Sequence, residues 1–305
     1  MKVLLLPDKH NWAYESIAVN LRKYNTDKDI DLSIIPIKGN EKKIKKIYKK
    51  FDRILVMGFQ NYERIEFLPK KETLIGIHSF HSWDGKKTTP ENMNDRVPPR
   101  KLVDFLNQFA RVNAVSQQLT NVFNKAGVDV VYTPNGVDTE EFIPRPSNNK
   151  KLTVGYSGSS AHDWRKGISE IIQSAAKKAK VQTHLAMLSS GQYVPLDSMP
   201  MFYQKLDIYL CASLSEGFSL SVLEAASCGL PIISTRVGGC IDLIEDGKNG
   251  FLADRTLDAF VEKIEMLKDN DLRDKISAQI TQDIRDKWCW SIRAKAWIEF
   301  LKGNL

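Results

Sequence analysis

Short apolar, β-branched runs alternate along this chain with longer stretches in which apolar residues recur at helical spacing. Runs at 3–6, 32–37, 53–57, 74–77, 112–115 and 128–132 predict strands in the first half. Helical spacing at 14–24, 42–50, 100–109 and 117–125 places helices between several of them. The second half restarts with strands at 152–156, 184–188, 207–212 and 231–234, and helices near 166–180, 199–205, 219–227 and 258–268. Continuous apolar strands alternating with amphipathic helices argue for parallel sheets covered on both faces. The segment IPRPSNNK, residues 143–150, is polar and broken by prolines, and is the natural linker. The expected organisation is therefore two doubly wound α/β domains of similar size, joined near residue 147.

Composition changes this picture in one respect. The 305 residues carry a formal net charge of +7. Residues 1–150 hold 25 Lys+Arg against 18 Asp+Glu, whereas residues 151–305 hold 19 of each. The excess positive charge thus sits wholly in the first half, which points to an anionic partner there. The start, MKVLLLPDKHNW, reads as a buried first strand rather than a signal peptide, and no apolar run reaches the length of a spanning helix. The four cysteines show no CxxC pairing, as expected of reduced structural thiols in the cytoplasm.

The candidate chemistry lies at SLSEGFSLSVLEAASCGLPII, residues 213–233. Residues 207–212 read as a buried strand, and residues 219–227 as an apolar helix ended by Gly229 and Pro231. The intervening loop falls at the carboxyl edge of the second sheet, where such sheets bind ligands. The backbone amides of Gly217, Phe218 and Ser219 open the helix, whose positive end favours phosphate. Glu216 and Glu224 stand at most about 12 Å apart along the axis. Carboxylates at two ends and amides between them suit a ligand with hydroxyls at both tips and an anionic middle, as a nucleotide sugar has. Taken alone, two glutamates at this spacing are also what a solvated helix face or a dipole-stabilising first turn would give.

Residues 215–252, SEGFSLSVLEAASCGLPIISTRVGGCIDLIEDGKNGFL, resemble the signature block of the retaining GT-B glycosyltransferases of family 4. Ser213, Glu216, Gly217, Phe218, Glu224, Ala225, Gly229, Pro231, Gly238, Gly239, Gly247 and Gly250 carry the match. TPNGVDTEEFIP at 133–144 and VGYSGSSAHDWRKGI at 154–168 resemble further segments of that family. The resemblance implies two Rossmann-like domains facing across a cleft, at 1–146 and 147–287, with a C-terminal helix at 288–305 crossing back to the first. It implies a retaining, metal-independent transfer of a sugar from a nucleotide diphosphate sugar to a hydroxyl of a glycan or lipid-linked acceptor, in surface polysaccharide or glycolipid biosynthesis. Glu216 and the amides of Gly217, Phe218 and Ser219 would hold the transferred sugar. Glu224 would bind the ribose, and Lys166 with Arg165 would neutralise the departing diphosphate. No cofactor beyond the donor substrate is implied.

The chain departs from that pattern after its first strand, where PDKHNWAYES at 7–16 has no glycine, and at Gly158-Ser159, where the family has Gly-Arg. Arg165 is the candidate replacement for the missing cation. Among the family's first-domain features, a strand-end histidine corresponds to His78 in GIHSFHSWDG, with His81 three residues later. His78 could bond a sugar hydroxyl near the reacting groups, or be a loop histidine with a structural partner. Trp12, Tyr14 and Trp83 are placed to stack on an acceptor ring or to anchor loops. NEKKIKKIYKKF at 40–51 is either a basic helix meeting an anionic membrane surface or an acidic acceptor, or a core-facing helix with a solvated lysine face. No zinc or Asp-pair metal motif stands out. An epimerase or sugar phosphorylase on the same fold is the alternative enzyme. A nucleic-acid-binding protein is the non-enzymatic one, though no helix-turn-helix, finger or RNP motif supports it.

Overall fold

The computed structural model describes residues 1–80, 97–145, 149–187 and 191–304. It divides into two compact units. Of the described residues, the first holds those up to Gly136 and those from Trp290 onward, and the second those within Val137–Cys289. His81 and Trp83, and residues 146–148 of the expected linker, lie outside the described residues.

The first unit is built on a six-stranded sheet of order β2-β1-β3-β4-β5-β6, all parallel. Its strands are β1 (Lys2–Leu6), β2 (Asp31–Ile34), β3 (Arg53–Val56), β4 (Thr73–Ile77), β5 (Arg111–Ala114) and β6 (Val130–Tyr132). Val3, Leu4, Leu5 and Leu6 are fully buried, as a central strand covered on both faces requires. Helices α1 (Ala13–Lys23), α2 (Glu41–Ile47), α3 (Arg100–Leu106) and α4 (Gln117–Lys125) connect strands. The Ser116 hydroxyl caps α4 by accepting from the Leu119 amide at 3.3 Å. The long C-terminal helix belongs to this unit: the Trp297 indole donates to the Pro134 carbonyl at 2.9 Å. Gly136 allows that approach, since a Cβ there would lie 2.9 Å from the Trp290 backbone.

The second unit carries a five-stranded parallel sheet of order β11-β10-β9-β7-β8. These strands are β7 (Thr153–Gly158), β8 (Gln182–Met187), β9 (Ile208–Cys211), β10 (Ile232–Thr235) and β11 (Phe251–Ala253). The chain winds outward from β7 to β8, then returns to place β9 on the other side of β7. The topological switch point therefore lies between the carboxyl ends of β7 and β9, where ligand crevices form in open α/β sheets. Val154, Ile172, Ile208, Ile233 and Phe260 anchor its apolar core.

The helix expected at 166–180 is interrupted. Helix α5 (Asp163–Lys166) ends at Gly167, which is left-handed at φ +66°. A π-helical turn (Ile168–Gln173) and α6 (Ser174–Lys178) follow. Asp163 accepts from the Ser169 amide at 2.8 Å and so braces the break. The remaining helices are α7 (Met199–Tyr203), α8 (Leu220–Ser227), α9 (Gly239–Leu243), α10 (Leu257–Met266), α11 (Asn270–Asp283) and α12 (Trp290–Lys302). No helix among the described residues is long and apolar enough to cross a membrane. All four cysteines are free and buried.

Candidate active site

Two loops meet at the switch point of the second unit. One follows β7 and carries α5 with Arg165 and Lys166; the other joins β9 to α8 and carries Glu216. They are stitched together by backbone. The Leu214 amide donates to the Arg165 carbonyl at 2.8 Å, and the Arg165 guanidinium donates to the Ser215 carbonyl at 2.9 Å. Gly167 makes this close approach possible, because a Cβ there would stand 2.9 Å from the Ala212 carbonyl oxygen. Arg255 locks the same junction from β11's side, donating to the Ala212 carbonyl at 2.9 Å and the Trp164 carbonyl at 3.1 Å.

The result is a charged cluster with little access to solvent. The Lys166 ammonium pairs with Glu216 Oε1, and the two side chains are only 17% and 11% exposed. Ser213 Oγ donates to the same oxygen at 2.6 Å. Burial would raise the Glu216 carboxyl pKa, but the Lys166 and Arg165 charges and the two hydrogen bonds outweigh it and hold it below the ordinary value. Glu216 is therefore an ionised acceptor, with Oε2 outside the two hydrogen bonds that Oε1 accepts.

The Gly-Gly pair of the sequence motif has a steric cause here. Gly238, at φ +45°, lies directly against the carbonyl oxygens of Glu216 and Gly217, and Gly239 against the Phe218 ring. The Gly239 amide donates to the Gly217 carbonyl at 2.9 Å. Any side chain on either glycine would push the Glu216 loop out of place. The Phe218 side chain is buried against Trp288, 5.3 Å between ring centroids. The Phe218 ring therefore faces the interior of the unit rather than solvent. Ser219 is the N-cap of α8, but its hydroxyl caps no amide and instead contacts Ser221 Oγ at 3.0 Å.

Glu224 lies in the second turn of α8 and is engaged separately. Tyr203 Oη donates to Glu224 Oε2 at 2.7 Å. Burial pushes the Glu224 carboxyl up to about 7, against the lowering effect of that hydrogen bond. Behind Tyr203 stand Ser157 Oγ at 2.9 Å and Tyr209, whose hydroxyl is 3.1 Å from Ser157 Oγ. Neither Tyr203, Ser157 nor Arg255 was legible in the sequence as a site residue. Each acts across a long stretch of chain, and none belongs to a short motif.

His78 belongs to the first unit, at the carboxyl end of β4. It is 7% exposed and folds back on Gly76, where a Cβ would be 2.7 Å from Nε2. The Tyr14 ring lies 4.6 Å away and the Trp297 ring 6.2 Å. Burial drives its pKa down to about 3, so the imidazole is neutral. Nε2 has no hydrogen-bond partner among the described residues. Among those residues there is also no group of three or more His, Cys, Asp or Glu able to hold a metal ion.

Two doubly wound parallel α/β units, with a charged cluster at the switch point of the second, define the GT-B architecture. Residues 172–283 match the family described as Glycosyl transferases group 1. Glu216 and Glu224 lie inside the matched segment; Arg165 and Lys166 lie just before it. The chain is 29% identical over 133 residues to sucrose synthase of Melioribacter roseus, covering 40% of this chain and 17% of that protein. It is 26% identical over 198 residues to a probable sucrose-phosphate synthase of Thermosipho melanesiensis, covering 55% and 46%. It thus spans less than half the length of these two relatives. The crystal structure of Anabaena HepE with UDP and glucose superposes over 99% of both chains, with a TM-score of 0.77 at 17% identity.

Proposed function

We propose that this chain is a retaining, metal-independent hexosyltransferase that moves a sugar from a nucleotide diphosphate sugar to a hydroxyl of a glycan or lipid-linked acceptor. The observation that carries this reading is the Lys166–Glu216 pair, joined to Arg165 and Ser213 at the β7/β9 switch point. Cleaving a glycosyl–phosphate bond builds negative charge on the departing oxygen, and a fixed lysine beside it lowers that barrier. Glu216, kept ionised, accepts hydrogen bonds from the sugar's hydroxyls, with the Gly217, Phe218 and Ser219 amides alongside. Glu224 takes the ribose diol. No side-chain nucleophile is required: the leaving phosphate takes the proton of the incoming acceptor hydroxyl as the new bond forms on the same face. His78 is the candidate catalytic residue of the first unit. Binding of UDP and glucose by a protein of the same fold supports the donor class. We place the enzyme in the cytoplasm, within surface polysaccharide or glycolipid biosynthesis.

A thermal-shift panel of UDP-, GDP- and ADP-sugars on wild type and Glu224→Ala tests the donor. One nucleotide class is expected to stabilise wild type and to lose most of its effect on the variant. Transfer to an acceptor should then persist in EDTA; loss in EDTA with rescue by magnesium would refute metal independence. The acceptor side concerns α2 and the turn after it, where Lys42, Lys43, Lys45, Lys46, Lys49 and Lys50 are exposed around buried Ile44. Peripheral contact with an anionic membrane surface there predicts co-sedimentation with phosphatidylserine vesicles that weakens as salt rises. Absence of binding at low ionic strength would exclude it.

A further inference from the structure

We propose that Tyr203, backed by Ser157, is a positioning residue that fixes the Glu224 carboxylate to receive the vicinal hydroxyls of the nucleotide's ribose. The inference rests on the reading of Glu224 given above and goes beyond it by assigning what holds that group in place.

An ionised carboxylate only accepts hydrogen bonds, so the single proton of Tyr203 is committed to Glu224 Oε2, 2.7 Å away. The Tyr203 oxygen then faces the Ser157 hydroxyl at 2.9 Å as its donor. Ser157 is itself held by Tyr209: its amide donates to the Tyr209 oxygen at 3.1 Å, and the Tyr209 hydroxyl reaches the Ser157 carbonyl at 3.3 Å. The chain from β9 through β7 and α7 to α8 is therefore directional and ends on one carboxylate oxygen. Tyr203 is 0% exposed and ringed by Phe142, Phe202 and Tyr209, so it cannot swing away. Burial and the nearby Glu224 charge keep it phenolic, a permanent donor.

Among the described residues, no other side chain donates to Glu224. The titratable groups that face Glu224 are Tyr203 on α7, Glu141 in the segment after Val137, and Cys228 at the foot of α8. None of these carries positive charge. Tyr203 alone among them favours the ionised carboxylate, and Glu141 opposes it. Removing the phenol oxygen would leave Glu224 both free to rotate and harder to ionise.

The test is isothermal titration of UDP, GDP and ADP into wild type, the tightest binder then being carried through Tyr203→Phe, Ser157→Ala and Glu224→Ala between pH 6 and 9. Tyr203→Phe keeps the ring packing and is expected to bind about tenfold more weakly at pH 7. Its binding midpoint should move to higher pH, and affinity should recover towards wild type at pH 9. The rate at saturating donor should stay within about twofold, so that KM moves and kcat does not. Ser157→Ala should give a smaller change of the same kind, and serves where the phenylalanine variant folds poorly. A Tyr203→Phe protein that binds like wild type at every pH, beside a weakened Glu224→Ala, overturns this inference alone. A loss equal at pH 6 and pH 9 that comes with a comparable fall in kcat also overturns it, as the mark of general disruption. An unweakened Glu224→Ala removes the underlying reading of Glu224, and this inference with it.

Discussion

Lys166→Met is expected to lower kcat about 10²–10³-fold while leaving the affinity for the free nucleoside diphosphate within an order of magnitude. The lysine is already oriented by its pairing with Glu216 and by the Leu214–Arg165 backbone bond, so under the proposed mechanism its charge would act on the departing phosphate without reorganisation. One preorganised group aimed at developing negative charge is worth that range when removed. Arg165 is anchored through one guanidinium nitrogen on the Ser215 carbonyl. Stability should fall as well: the variant leaves the Glu216 carboxylate in a site only 11% exposed with its nearest cation gone. The double variant Lys166→Met/Glu216→Gln separates the two effects. It should regain most of the lost stability and none of the activity, measured by denaturant midpoint and by product formation on the same samples. Single-variant kinetics within tenfold of wild type would remove Lys166 from the chemistry.

The sheets and their parallel alternation were legible because buried strands such as β1 and β9 are continuous apolar runs with no competing pattern. The Glu216 loop was legible because its glycines punctuate it. What the spacing hid was the reason for each glycine: Gly238 and Gly239 matter for what lies against them, and those neighbours are some twenty residues away in sequence. The expected 166–180 helix missed its break, since one left-handed glycine outweighs the helical spacing of the residues around it. Helix α11 escaped notice because its exposed positions are polar and its only fully buried apolar residues are Ile276 and Ile280. Strand β11, three residues long, is too short to announce itself. Arg255 was invisible for a different reason. It serves two backbone carbonyls, and a carbonyl leaves no trace in the identity of the residue that owns it.

Glu224→Gln should make the unliganded protein more stable at pH 8 and abolish most of its nucleotide affinity, a trade that marks a residue kept for function. In the unfolded chain this carboxyl titrates near its ordinary value of 4.5, whereas burial raises it to about 7 in the fold. Between those two values the native state holds a proton that the unfolded state has released. Stability contributed at this site therefore falls as pH rises from about 4.5 to 7 and stays low above that. Glutamine has no such titration and still accepts from Tyr203 Oη. The variant should thus match wild type near pH 4.5 and exceed it at pH 8 by up to about 3 kcal/mol, following the cost of a pKa displaced by that much. Nucleotide binding runs the opposite way. Under the proposed role of Glu224, ribose hydroxyls would donate to the ionised form, so wild-type affinity should climb between pH 6 and 8, while the glutamine protein stays weak and flat. Denaturation midpoints at pH 5 and 8, with titrations on the same preparations, check both arms. A glutamine variant no more stable than wild type at pH 8 would mean that Glu224 is not confined as its contacts with Tyr203 and α8 require.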